Sequence, residues 1–68
     1  MRRFVLNRLE DATGISGTGL IAEGVVFSRG NVGLVWLPPW DTISIYPSIG
    51  AVEAIHGHGG LTRVEWID

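Results

Sequence analysis

At 68 residues the chain has room for one domain, residues 1–68, and a chain this short buries only about 60% of the surface its unfolded form exposes. It has no cysteine, which excludes a disulfide framework and a thiolate zinc centre. Its formal net charge of −2 leaves no global footprint for nucleic acid, and no stretch approaches the ~20 apolar residues of a membrane span.

The basic start Met1-Arg2-Arg3-Phe4 is not followed by an apolar leader core, so the expected location is the cytoplasm, with no membrane partner. Hydrophobic residues make up 46% of the chain and charged residues 18%. So little polar surface implies either a closed barrel or apolar surface covered by a partner or a second copy. All five basic residues are arginine. Coding bias explains this, although arginine also suits planar, bidentate recognition.

Taken in chain order, Arg3 to Leu9 alternates as a first strand with Phe4 and Leu6 inward, and Glu10-Asp11 closes it with charge. Ala12 to Gly19 holds three glycines in eight positions and reads as a loop. Gly14, Ser16, Gly17, Thr18 and Gly19 are candidates for cradling an anion or small ligand with backbone N–H groups. Neither phosphate-loop spacing is present and no helix follows, so the plain reading is a structural loop.

The chain is organised around Gly19 to Leu37, a β-hairpin. Two apolar runs, Leu20–Phe27 and Asn31–Leu37, flank Ser28-Arg29-Gly30-Asn31, where Gly30 can supply the positive φ of a tight turn. In the first run the larger side chains Ile21, Val25 and Phe27 are expected inward, with Glu23 awkwardly among them; Gly24 suggests a bulge or bend. In the second, Val32, Leu34 and Trp36 form the bulky face, and Gly33, Val35 and Leu37 the other. Pro38-Pro39 ends the strand, and Trp40 and Asp41 follow in a turn where Trp40 is expected exposed.

Thr42 to Tyr46 alternates cleanly, predicting a fourth strand with Ile43 and Ile45 inward and Thr42, Ser44 and Tyr46 outward. Ser48 to His56 is the helical candidate. Ser48 can cap it, Ile49, Val52 and Ile55 form its apolar stripe, and Gly57 suits the C′ position. Leu61 to Ile67 is the last strand, with Thr62, Val64 and Trp66 on one face. The expected fold is mainly β: a small five-stranded SH3-like antiparallel barrel with one short helix before the last strand. The alternative is an open, curved antiparallel sheet with the helix across one face, completed by a second copy.

His56-Gly57-His58 is the one ligand-like pair. In extended backbone its rings would share a side, with Glu53 or Asp41 as a further donor. Four-ligand sites draw on more His or Cys than this, so no metal and no cofactor is expected. None of Ser16, Ser28, Ser44 and Ser48 stands in a nucleophile elbow, and the chain reads as a non-enzyme. Trp40 and Tyr46, with Arg29 and Arg63 and the apolar Val35 and Leu37, are the candidates for binding a protein partner, whether another protein or a second copy. Trp36 and Trp66 read as core. Arg2, Arg3, Arg29 and Arg63, gathered into a local basic patch, would be the route to a nucleic-acid-binding alternative.

Gly14-Ile15-Ser16-Gly17-Thr18-Gly19, Ala22-Glu23-Gly24-Val25, Phe27, Gly30, Val32, Leu34, Trp36-Leu37 and the run from Val52 to Gly60 carry a resemblance over most of the chain. They resemble a group of small uncharacterised proteins of actinobacteria, haloarchaea and their phages. The resemblance implies a cytoplasmic accessory protein linked to phages or mobile elements, one that would act on a host protein. It supplies no catalytic residues.

Overall fold

A computed structural model describes residues 1–9 and 18–68, with the backbone alone for His58. Five strands, β1 (Arg2–Arg8), β2 (Gly19–Val26), β3 (Val32–Trp36), β4 (Ile43–Tyr46) and β5 (Thr62–Trp66), and one helix, α1 (Ile49–His56), follow the expected order. The sheet is antiparallel, in the order β4-β3-β2-β1-β5. That order is linear and leaves β4 and β5 as edges, so the sheet is open where a closed barrel was expected.

The central hairpin forms where the sequence placed it. Phe27 N–H donates to the Asn31 carbonyl at 2.8 Å, Gly30 N–H donates back to Phe27 at 2.9 Å, and Gly30 adopts φ +95°. A side chain at that φ would be strained, which is why glycine serves there. Ser48 caps α1: its Oγ accepts from Ala51 N–H at 3.1 Å, satisfying one of the helix's orphan donors. Gly57 differs from expectation. It ends α1 in right-handed backbone, φ −69°, and its N–H donates to the Glu53 carbonyl. Glycine is needed there for closeness, since a Cβ would collide with that carbonyl.

The core lies on one face of the sheet. Phe4, Leu6, Ala22, Val32, Leu34 and Val52 are fully buried, with Ile21, Val26, Trp36, Tyr46, Ile49 and Val64 packed against them. Val52 is the helix's contribution, and α1 touches both edge strands, spanning this face. Ile49 joins it, but Ile55, the third member of the expected stripe, is exposed.

Two face assignments are reversed. In β2, Ala22 and Val26 face the core, while Val25 and Phe27 share the opposite side with Glu23. Ile21 alone of the expected inward set reaches the core, because an irregularity between Leu6 and Asn7 shifts the β1–β2 register there. Glu23 is therefore exposed, and its awkwardness disappears. In β4, Ser44 and Tyr46 point inward and the two isoleucines outward. Val32 pairs with Tyr46 and Leu34 with Ser44. Paired residues share a face, and both partners in β3 are buried, so β4 has no choice.

Mid-sheet glycine makes one close approach possible. Phe4 pairs with Gly24, and a Cβ on Gly24 would stand 2.5 Å from the Phe4 ring and 2.9 Å from the Gly33 carbonyl. The ring thus lies across the bare backbone on the core side.

The chain ends are tied together. Asp68 Oδ1 accepts from Arg3 N–H at 2.7 Å, and Oδ2 accepts from Arg3 Nε at 2.9 Å. The backbone hydrogen bond, followed by the side-chain one, holds the Asp68 carboxyl below its usual value. A lowered folded pKa means the attachment is complete above the ordinary aspartate range and is lost as pH falls through the folded value. The expected result is an Arg3 amide NMR shift that titrates with a midpoint below that of a free aspartate. A midpoint at or above the ordinary value would refute the contact.

Candidate functional site

The face of the sheet opposite α1 is covered by no described element. Arg3, Val5, Glu23, Val25, Gly33, Val35, Ile43 and Ile45 alternate onto it from β1 to β4, and Ile67, whose N–H donates to Arg3, extends it beyond β5. Ile43 is 70% exposed, Ile45 79% and Ile67 54%. A depression of about 420 Å³ crosses the face, walled by Val25, Val35, Ile43 and Ile67, with Arg3 and Glu23 at its polar points. Gly33 contributes the missing side chain that opens it, and the Phe27 ring leans against Gly33 from one side.

A second hollow, of about 400 Å³, lies at the end of the sheet where β3 turns. Trp36, Leu37, Pro38, Pro39 and Trp40 form one wall, and Arg8, Thr18 and Leu20 another. Trp40 is 75% exposed there, as expected for an aromatic in a Pro-Pro turn.

The residues expected to bind a partner are distributed over five places. Val35 is on the open face and Leu37 beside Trp40 in the end hollow. Arg29 is in the hairpin turn and Arg63 on the edge strand β5. Tyr46 is on the core side, where its hydroxyl meets His56 Nε2 at 2.6 Å. The His56 ring is further packed edge-on against Trp36, with centroids 4.9 Å apart, and Trp36 Nε1 donates to Ser44 Oγ at 3.1 Å. This aromatic cluster fastens the end of α1 to β3 and β4.

That placement bears on the other candidates. His56 ends the helix and is committed to Tyr46 and Trp36, so the backbone from His56 to His58 is not the extended segment that same-side rings would require. Among the described residues no cluster of three His, Cys, Asp or Glu could hold a metal ion. Gly14, Ser16 and Gly17, with Glu10-Asp11, lie outside the described residues; Thr18 is exposed and Gly19 opens β2 with φ +96°.

Arg2, Arg3 and Arg29 share the hairpin end of the sheet, and Arg63 stands apart from them. Arg2 pairs with Val26 at one end of β1, while Arg63 pairs with Asn7 at the other, about 17 Å away at strand spacing. Arg3 is ion-paired to Asp68 at 2.8 Å, and Arg2 lies 3.9 Å over the Trp66 ring. Trp66, expected in the core, is a rim residue 40% exposed, held edge-on to Phe4 on one side and capped by Arg2.

The sequence offers the open face as one of two alternatives, but of its expected members Val35, Leu37, Leu20 and Val26 only Val35 lies there; Leu37 and Leu20 line the end hollow and Val26 packs on the core. The signal for such a face was the run of apolar residues on both parities of β2 and β3, the mark of strands with two faces to cover. Among the described residues no helix is long and apolar enough to cross a membrane. No curated protein and no solved structure matches the chain. A family model does match, over residues 1–68, in agreement with the phage side of the resemblance noted above: the chain belongs to the Acb5 phage protein family.

Proposed function

We propose that this phage protein is a non-enzymatic docking module that binds protein through the open apolar face of its sheet. The observation that supports this most directly is the exposure of Ile43 and Ile45 on a face that no described element covers. Contiguous apolar surface of this kind, with Arg3 and Glu23 as polar points within it, is the character of a protein contact. In a phage protein the partner class that fits is a host protein, a phage protein or the chain itself, in the cytoplasm of the infected cell.

Photo-crosslinkers placed singly at Ile43 and at Val35 are expected to give cross-linked protein species in infected cells. One at Glu53, exposed on α1, is expected to give none. Equal yields at all three positions would sink the reading.

A second reading rests on the end hollow, where Arg8 and Thr18 stand with Trp36 and Trp40. A cation beside aromatic rings suits a small planar anion, next in sequence to the glycine-rich segment. Native mass spectrometry of the purified protein tests it: a retained small molecule, lost on Arg8→Ala and Trp40→Ala, supports this site.

A further inference from the structure

We propose that the occupant of the open face is a second copy of this chain, packed sheet against sheet as a two-fold dimer with the helices outside; this rests on the docking reading above. Four features of the face favour a copy of itself.

The first is size. Five strands about 4.8 Å apart and about five residues deep give roughly 400 Å² in plan. Two copies together would cover roughly 800 Å² in plan before side-chain relief is added, at the small end of specific interfaces.

Shape is the second. An isologous contact needs a surface that carries both a protrusion and its recess. Ile45 protrudes directly across from Gly33 in the β3–β4 register, and Gly33 opens the recess. Knob and hole therefore stand one strand spacing apart, about 4.8 Å. A two-fold axis between them sets each knob over the other copy's hole.

Charge is the third. The depression holds one residue of each sign, Arg3 and Glu23; Arg3 is paired with Asp68 within its own chain, yet its side chain is 63% exposed, so a copy related by two-fold symmetry can bring it against the first copy's glutamate as well. A desolvated Glu23 needs such a partner.

The last is the edge. β4 is only four residues long and is followed by Pro47. A short strand with proline at its end is poorly suited to edge-to-edge pairing, which leaves face-to-face packing, at about 10 Å between sheets, as the arrangement that covers the isoleucines.

The test is the solution mass of the purified full chain, by light scattering across a dilution series, with two variants. The wild type is expected at twice 7.4 kDa. Ile45→Arg is expected to be a monomer with unchanged far-ultraviolet circular dichroism. Each substitution counts twice in a two-fold contact, so the dissociation constant should rise by about 100-fold or more. The milder Ile45→Ser should raise it less while preserving the fold. Because the chain has no cysteine, Glu53→Cys carries a single spin label on α1; pulsed resonance should find the two labels of a dimer on opposite outer sides, far apart. Labels in close contact, or an Ile45→Arg dimer as tight as wild type, would overturn the proposal. A wild type that is monomeric throughout would overturn self-pairing alone, and the cross-linking from Ile43 would then decide whether another protein takes the face.

Discussion

Phe4→Ala is expected to leave most of the chain unfolded at room temperature. Phe4 is fully buried on the central side of β1 and pairs with Gly24 on one flank and Trp66 on the other. Its ring covers the bare Gly24 backbone and takes the Trp66 edge at a centroid distance of 5.6 Å. Truncation removes the ring's transfer free energy and leaves a cavity that three strands of backbone cannot collapse into, a cost of about 3–5 kcal/mol. A single core in a chain this small rarely supplies more than about 3–5 kcal/mol in total. The two quantities are comparable, so the folded population should fall to a minority. Urea denaturation followed by tryptophan fluorescence reads this directly. A midpoint close to wild type would mean that the Phe4 ring is not the centre of the core. Phe4→Leu, which restores most of the volume, should recover most of the loss.

Gly24→Ala is the second large effect, and it works in the opposite sense, by overfilling. The new methyl would meet both the Phe4 ring and the Gly33 carbonyl inside contact distance. Neither can yield cheaply: the ring is enclosed, and the carbonyl belongs to a paired strand. Overpacking of this kind costs about 1–3 kcal/mol. Gly33→Ala is the matched control. Its Cβ would find the Phe27 ring at 3.4 Å, on the open side where the ring can move. The expected ranking is a clear fall in denaturation midpoint for Gly24→Ala and a small change of either sign for Gly33→Ala. Equal falls would show that the two faces of the sheet are covered alike, and would count against the open face.

Seen together, these two glycines explain why the sheet has such unequal sides. On the core side, Phe4 fills the place where Gly24 lacks a side chain. On the other side, Phe27 only leans against Gly33, and the depression that carries Arg3 and Glu23 remains. The isoleucines of β4 border that depression. The open face is thus a consequence of how the core was built, since the register that buries Leu34 and Val32 turns Ile43 and Ile45 outward.

Much of the architecture was legible in the sequence because it rests on local rules. Gly30 marks a turn that needs positive φ, Ser48 a helix start that needs an acceptor, and Pro38-Pro39 a strand end that cannot donate. Phe4 and Leu6 alternate cleanly enough to be placed inward on their own. The candidate site was legible only in fragments: Val35 falls on the open face, Trp40 and Leu37 at the end hollow, and Tyr46 on the core side. Hydrophobicity alone favours burying isoleucine over tyrosine and serine, and in β4 that preference pointed the wrong way. Tyr46 goes inward because His56 and the core receive it, and Ser44 because Trp36 Nε1 needs an acceptor.

By itself, then, the sequence determined the number, kind and order of the elements, the hairpin turn and the helix cap, each specified by residues within a few positions of one another. Only the tertiary structure decided which face of each strand is buried and that the sheet stays open. A strand has period two, so a one-residue irregularity, as between Leu6 and Asn7, moves a neighbouring strand's side chains to the other face. That choice is made by pairing between strands distant in sequence, Val32 with Tyr46 and Phe4 with Trp66, and no local pattern records it.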